Sequence, residues 1–301
     1  MQATYYQYYF TKGNGQKKYG VDLRPFLQKY CSWKTPVFKS KFEHAGERLY
    51  LIHTVGDQYL FLHTLDNEII KKIDSKNLTL GDLKTYLAGD SAGFASYLNF
   101  REDFFGIACK VLSPRGATFS SYVNQVIEAL KLPYKFHAVA LTHQMQRKDI
   151  SKLSRVGKIT VELQRENKLH EDLVEFISGQ TGQNYAEVGP IEITIRPEKR
   201  LGNIKAILQG VSSQIGQKGV KDFEARAVTA VADKVIDVYL VGEGAVRHPI
   251  SGDTDAKIQR DFDKQMSKNA LLQEKIKEMR SSANVQKTTF ADLDNPTKPR
   301  A

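Results

Sequence analysis

Hairpin-forming segments follow one another through the first 130 residues, and this succession constrains the fold more than any other feature. Residues 4–11 alternate between two faces, as a β-strand does, and run into the turn sequence Lys12-Gly13-Asn14-Gly15. Residues 48–65 predict a second hairpin around Gly56-Asp57. The other predicted elements are a short helix opening at Asp22 and Arg24, a helix from Thr79 to Leu87, strands over 94–100 and 104–112, and a helix from Thr118 to Leu130. This order indicates an antiparallel sheet with helices on one side.

The pattern changes after Pro133, where single strands alternate with helices. The predicted strands cover 136–143, 158–164 and 191–195, and the predicted helices cover 144–154, 169–178 and a long region from Leu201 to Leu240. Such alternation favours a second α+β domain with some parallel pairing. The fold class is therefore α+β: an N-terminal antiparallel sheet with helices, a second α+β domain and a C-terminal helix.

The C-terminal part begins with a linker rich in glycine and proline over residues 241–252. Residues 253–280 predict one charged helix whose sparse apolar stripe packs on the first domain or on a partner helix. Residues 281–301 are polar, contain two prolines, and are expected to be disordered. The predicted divisions are 1–135 for the first domain, 136–245 for the second, 246–280 for the C-terminal helix and 281–301 for the tail. The stripe consists of Ile258, Phe262, Met266, Leu272, Ile276 and Met279.

A positive surplus is spread through the folded-looking parts of the chain. Its 44 Lys and Arg residues outnumber 34 Asp and Glu residues, which gives a formal charge of +10. The surplus is concentrated in residues 1–48, 131–168 and 196–221 rather than in a tail. Ordered positive surface can hold a polyanion. The sequence shows neither a membrane-spanning apolar run nor a secretory signal, and its two cysteines have no metal-ligand spacing, so a cytoplasmic protein with reduced thiols is expected.

The sequence lacks the motifs that carry common catalytic chemistry. HExxH, paired CxxC, GxSxG and phosphate-loop patterns are missing, so no catalytic residue, metal ligand or cofactor is predicted, and the protein is not expected to be an enzyme. Two alternatives stay open. One is a metal-dependent nuclease using the strand carboxylates Glu162 and Glu192. The other is a protein-interaction module that inhibits a DNA-modifying enzyme through its basic face.

Two basic segments are the best candidates for binding phosphate. One surrounds the tip of the first hairpin, and the other lies where a strand passes into a helix near Gly202, with further lysines opening a following helix. No base-reading motif accompanies them, so binding to double-stranded DNA is expected to be independent of sequence. The candidate DNA-binding residues are Lys12, Lys17, Lys18, Arg24, Arg196, Lys199, Arg200, Lys205, Lys218 and Lys221.

Five segments, in this order, resemble the RexA family of phage superinfection-exclusion proteins. They are residues 8–27, 48–73, 88–114, 191–207 and 223–240. The resemblance implies a prophage-encoded cytoplasmic homodimer that binds double-stranded DNA without sequence preference and activates a RexB-like membrane ion channel, which aborts infection. Residues 31–46 and those after 281 lie outside the resemblance.

Overall fold

The computed structural model describes residues 1–13, 15–64, 71–74, 79–82, 93–182, 187–199, 202–212, 218–229, 235–242, 244–282 and 284–299. The chain forms two compact units. Unit 1 combines residues 1–141 with residues 248–301, and unit 2 contains residues 142–247. The chain therefore leaves unit 1 after Leu141 and returns to it at His248.

Unit 1 contains a large mixed sheet flanked by helices, so the α+β class predicted from the sequence is confirmed. Its strands are β1 (Gln2–Lys12), β2 (Lys18–Gly20), β3 (Glu43–His44), β4 (Glu47–His53), β5 (Gln58–Thr64), β6 (Lys71–Asp74), β7 (Thr79–Asp82), β8 (Gly93–Phe100), β9 (Phe104–Cys109) and β10 (Tyr134–Ala140). Among the described residues up to Leu141 its helices are α1 (Arg24–Ser32), α2 (Pro36–Lys39) and α3 (Gly116–Ala129).

The main sheet orders its strands around β1. From β1 the sheet runs through β9, β8, β5 and β4 to β3 in antiparallel ladders. On its other edge β1 pairs with β10. Beyond the residues paired with β9, Phe10 also pairs with Tyr19 of β2 on the edge opposite β10. In the separate pair of β6 and β7, strand β7 occupies the first residues of the helix that was predicted from Thr79 to Leu87. That prediction is wrong for Thr79–Asp82, and residues 83–87 lie outside the described residues.

One face of the main sheet carries a core dominated by aromatic rings. Alternation along β1 sends Tyr8 and Phe10 to this face, where both are buried. Helix α3 packs Phe119 onto it, with ring centroids 5.4 Å from Phe61 and 5.4 Å from Phe105. The phenol groups of Tyr30 and Tyr122 hydrogen-bond to each other at 2.8 Å, which satisfies both buried hydroxyls.

Unit 2 is built on a four-stranded antiparallel sheet. Its described elements are β11 (Thr142–His143), a 3₁₀ helix (Arg147–Lys152), β12 (Leu153–Leu163), α4 (Lys168–Thr181), β13 (Ile191–Ile195), α5 (Lys205–Val211), β14 (Val220–Thr229), β15 (Val235–Val241) and β16 (Gly244–Ala245). The next strand, β17 (Arg247–Pro249), pairs with β1 in the main sheet. The sheet has the order β13, β12, β14, β15. The parallel pairing predicted for this part of the chain is absent from its described ladders.

The long helical region predicted over residues 201–240 is wrong. Only α5 is helical among its described residues, while β14 and β15 form a hairpin-like antiparallel pair. Phe223, Ala225 and Ala227 are buried on one face of β14. Polar residues alternate with them. Because buried residues recur at every second position, this segment forms a strand, although alanine, glutamate and arginine are strong helix formers.

Helices from the C-terminal part of the chain cover the second face of the main sheet in unit 1 around Tyr5 and Gly106 of β1 and β9. These are α6 (Asp255–Lys268) and α7 (Ala270–Ser282), for which a single helix was predicted. The chain is extended at Asn269, whose side-chain oxygen accepts the Leu272 N–H at 3.0 Å and so caps the second helix. All six residues of the predicted apolar stripe are buried. Gly106 allows this approach, since a Cβ there would lie 2.7 Å from a Phe262 ring carbon.

The end of the chain is ordered, and the prediction of a disordered tail is wrong for the described residues. The short strand β18 (Val285–Lys287) pairs with β2 in parallel, and the short helix α8 (Ala291–Asp294) follows. Leu293 is 1% exposed, and the Phe290 ring stacks on Tyr134 at 4.6 Å. The buried Leu293, the Phe290 ring and the β18–β2 ladder together hold this segment on unit 1.

Candidate nucleic-acid interface

The tip of the first hairpin holds three exposed lysines over aromatic rings. The ammonium of Lys12 lies 5.8 Å from the Tyr134 ring centroid, that of Lys17 lies 5.6 Å from Tyr19, and that of Lys18 lies 4.9 Å from Tyr9. None of the three forms an ion pair with any described residue. Aromatic faces stabilise an ammonium without neutralising its charge. The predicted lysines Lys12, Lys17 and Lys18 are therefore available to an anion.

A ring stack extends this surface from β1 to β10. Tyr9 and His137 are paired across the two strands, and their rings stack with centroids 4.9 Å apart and planes 14° apart. Thr11 Oγ1 and His137 Nε2 are 3.0 Å apart and share a hydrogen bond. Burial lowers the pKa of His137 from its ordinary value of 6.5, and the charges of Lys135 and Lys18 lower it further. Sequence reasoning missed Lys135 and His137, because only the β1–β10 register brings them to Tyr9.

Arg24, the fourth candidate in unit 1, is ion-paired. Its guanidinium lies 2.6 Å from the Asp22 carboxylate and 3.4 Å from that of Asp57. The hydrogen bonds to Asp22 raise the pKa of Arg24 above its ordinary value, with Asp57 adding to the effect. A guanidinium already bound to two carboxylates fixes the start of α1. It offers little to a phosphate.

In unit 2 the basic residues after β13 differ in whether their charged groups already bind another group of the protein. Arg196 and Lys199 are exposed and form no ion pair with a described residue. The ammonium of Lys205 instead donates to the carbonyls of Ser151 (2.9 Å) and Leu153. The Lys205 N–H, expected to meet phosphate at the helix start, donates to Asn203 Oδ1 at 3.0 Å. Arg200 lies outside the described residues.

The next two candidates begin a strand rather than the predicted helix. Lys218 is exposed, and its carbonyl accepts a hydrogen bond from Asn167 at 3.0 Å, which fixes the backbone there. Lys221 lies on β14 and donates to Glu162 Oε1 at 2.9 Å. That hydrogen bond raises the pKa of Lys221 above its ordinary value. Of these two lysines, Lys218 is the one whose ammonium forms no ion pair with a described residue.

The free cations of unit 2 are spread along the sheet. Lys199 lies close to Val156, because its carbonyl accepts the Gly202 N–H at 2.8 Å and Ile204 donates to the Val156 carbonyl at 2.9 Å. Arg196 directly follows Ile195, which pairs with Ile159 of β12. Lys218 lies at the other end of β12, where Gln164 donates to the Gly219 carbonyl at 2.7 Å. Eight residues of β-strand separate these ends, or about 26 Å. The structure thus places the predicted residues at two sites along β12 instead of in one cluster.

The carboxylates considered for a nuclease do pair across strands. Glu162 lies opposite Glu192 on β13 and opposite Asp222 on β14. The Glu162 carboxylate nevertheless already accepts hydrogen bonds from the Lys221 ammonium and from the Gln164 amide, the latter at 3.1 Å. Throughout the described part of the chain, no group of three His, Cys, Asp or Glu residues is arranged to hold a metal ion. Within the same residues, none of the helices combines the length and the apolar character that crossing a bilayer requires.

Comparison with known proteins identifies the family to which most of the chain is similar. The RexA family, described as "Intracellular sensor of Lambda phage, Abi component", matches residues 1–235. The protein named rexA of Escherichia phage lambda is 22% identical over 264 residues, which cover 87% of this chain and 91% of the phage protein. The protein named rexA of Enterobacteria phage 434 matches to the same extent. The chain therefore belongs to the RexA family.

Proposed function

We propose that this chain is a cytoplasmic phage-exclusion sensor that binds double-stranded DNA without sequence preference. The observation that carries the proposal is the set of exposed cations without an ion pair among the described residues of both units: Lys12, Lys17 and Lys18 in unit 1, and Arg196, Lys199 and Lys218 in unit 2. Membership of a family described as an intracellular phage sensor supports the sensing role.

The geometry favours contact with the sugar–phosphate backbone over base readout. The cations sit on a hairpin tip, on turns and at strand ends rather than on a helix that could enter the major groove. The spacing of about 26 Å along β12 spans several phosphates, because a duplex presents one charge per ~1.7 Å of axis. Backbone contact alone gives affinity without sequence preference.

The first test removes the free cations of unit 2. The triple variant Arg196→Ala/Lys199→Ala/Lys218→Ala should bind a fluorescein-labelled duplex more weakly. Its log Kd should also depend less steeply on log salt, by about 0.9 for each phosphate that the variant no longer neutralises. Fluorescence anisotropy on two unrelated duplexes measures both quantities and checks sequence independence.

The matched control removes three exposed lysines of unit 1 that lie away from the hairpin tip, in Lys34→Ala/Lys41→Ala/Lys110→Ala. Its net charge equals that of the test variant, so a purely global charge effect would lower the salt dependence equally in both. A folded test variant with wild-type affinity and salt dependence would contradict a role for this part of unit 2.

The rest of the proposal concerns assembly and signalling. We propose that the sensor acts as a homodimer and passes its signal to a RexB-like membrane channel. Sedimentation velocity should then give a species of twice the chain mass. Cells that carry the chain together with such a channel should depolarise on infection, as followed with a potential-sensitive dye. Equal depolarisation without this chain would refute the coupling.

A further inference from the structure

The outer face of β1 and β10 carries a compact group of cations around an aromatic ring. Tyr9 pairs with His137 and Thr11 pairs with Lys135, and these four side chains alternate with the buried pair Phe10 and Phe136. They therefore share the face directed away from the aromatic core.

Strand β2 adds a further cation from the other side of β1. Tyr19 on β2 pairs with Phe10, and the neighbouring Lys18 holds its ammonium 4.9 Å from the Tyr9 centroid. Tyr9 is thus sandwiched between this ammonium and the His137 ring, whose centroid is also 4.9 Å away. Lys18 and Lys135 are both exposed, and neither forms an ion pair with a described residue.

We propose that Lys18, Lys135 and His137, arranged around Tyr9, form a phosphate-binding site for the nucleic-acid backbone, and that His137 takes up a proton when phosphate binds. The proposal deepens the proposed DNA-binding function and rests on it for the nature of the ligand. Lys12 and Lys17 continue the positive surface along the hairpin tip, which suits a repeating polyanion better than a single carboxylate.

The electrostatics explain why the proton and the phosphate bind together. The charged groups that act on the His137 ring are Lys135 on its own strand and Lys18 on β2, while Tyr9 and Thr11 face it from β1. Burial and these two cations oppose protonation of the imidazole and lower its pKa in the free protein. A bound phosphate reverses the local charge, so it raises the pKa of His137. Phosphate affinity must then increase as the pH falls.

The direct test titrates His137 by NMR in the full chain, with and without sodium pyrophosphate at matched ionic strength. The His137 resonance is identified by its loss in His137→Gln. Pyrophosphate should raise its pKa while leaving the signal of His170 unchanged, because His170 is buried in unit 2 and bonded to the Gly189 carbonyl. Identical His137 titration curves with and without pyrophosphate would overturn the proposal.

A second variant separates binding from structure. In Lys18→Ala/Lys135→Ala the pKa of His137 without ligand should rise towards 6.5, since the two lowering charges are gone, and the response to pyrophosphate should disappear. Matched removal of distant charge in Lys34→Ala/Lys41→Ala should change neither result. A pyrophosphate response that persists in the patch variant would also overturn the proposal.

Duplex binding distinguishes failure of the site from failure of the proposed function. Between pH 8 and pH 6 the wild-type affinity should rise more than that of His137→Gln, by at most about tenfold per pH unit for one linked proton. If His137 responds to pyrophosphate while the wild-type protein binds no duplex, the phosphate site stands and DNA sensing is wrong. If duplex binds and His137 does not respond, DNA binding stands and this site is wrong.

Discussion

The cores of the two units are built from different side chains. Unit 1 packs tyrosine, phenylalanine and its tryptophan around its main sheet, with helices on both faces. Unit 2 packs isoleucine, valine, leucine and alanine around a four-stranded sheet, and Phe223 is the aromatic residue in its described core. Its other sheet face carries charged pairs across the strands, such as Lys158 with Glu224 at 3.6 Å.

The difference indicates separate roles in stability. Aromatic rings bury the most area per residue and gain about 0.5–1.5 kcal/mol for each favourable ring pair. A sheet covered on two faces also buries alternate residues on both sides, as Tyr5 and Tyr8 of β1 do. Unit 2 buries mainly one face of its sheet. We therefore expect unit 1 to be the more stable unit and unit 2 to respond more strongly to salt.

The largest expected effect follows from truncating Phe119 in the core of unit 1. Its ring packs against the rings of Phe61, Phe100, Phe105 and Phe136. Phe119→Ala should lower the free energy of unfolding by about 3–5 kcal/mol, because the large cavity cannot close among rigid rings. Guanidinium titration followed by the fluorescence of Trp33 measures this, since Trp33 is the one tryptophan of the chain and is buried in the same core.

Phe223→Ala in unit 2 is the matched control. It should reduce the cooperativity or midpoint of unfolding seen by far-UV circular dichroism while the Trp33 transition stays near its wild-type midpoint. Equal shifts of the Trp33 transition in both variants would show that the two units unfold as one and would remove the contrast between them.

The second largest effect is expected at the C-terminal segment. Leu293 is 1% exposed, and Asp292 of the same short helix accepts a hydrogen bond from the Tyr134 hydroxyl at 2.9 Å. Leu293→Ala should lower the stability of unit 1 by about 2–4 kcal/mol, measured by the Trp33 transition. The exposed neighbour Thr297 supplies the control Thr297→Ala. A disordered tail would make both variants indistinguishable from the wild type.

Local patterns in the sequence predicted the elements whose signals agree with each other. Alternation identified β1, and the register of the second hairpin follows from Gly56-Asp57 at its turn. The helix predicted from Thr118 to Leu130 corresponds to α3, and residues 191–195 form β13 as predicted. In each case residue propensity and apolar periodicity indicate the same structure.

Predictions from the sequence were wrong or incomplete where residue propensity and apolar periodicity conflict, and where the contacting residues are distant along the chain. Residues 223–228 have helix-forming composition but a period of two, and the sheet decides the outcome. Among the candidate cations, availability could not be predicted from charge: Arg24 and Lys221 are paired with carboxylates, whereas Lys18 is held over a ring. The His137 surface depends on a pairing between residues about 130 positions apart, for which no local signal exists.

The smallest expected effect concerns the charged face of unit 2. Arg226 lies opposite Asp237 on β15, with 3.1 Å between Nε and Oδ1, and the Arg226 side chain is 60% exposed. A solvated pair of this kind contributes about 0.2–1 kcal/mol and weakens in salt. A double-mutant cycle of Arg226→Ala and Asp237→Ala, followed by circular dichroism at low and high salt, measures the coupling energy directly. A coupling above about 2 kcal/mol that ignores salt would mean that this face is shielded from water in solution, and the contrast between a closed unit 1 and an open unit 2 would then fail.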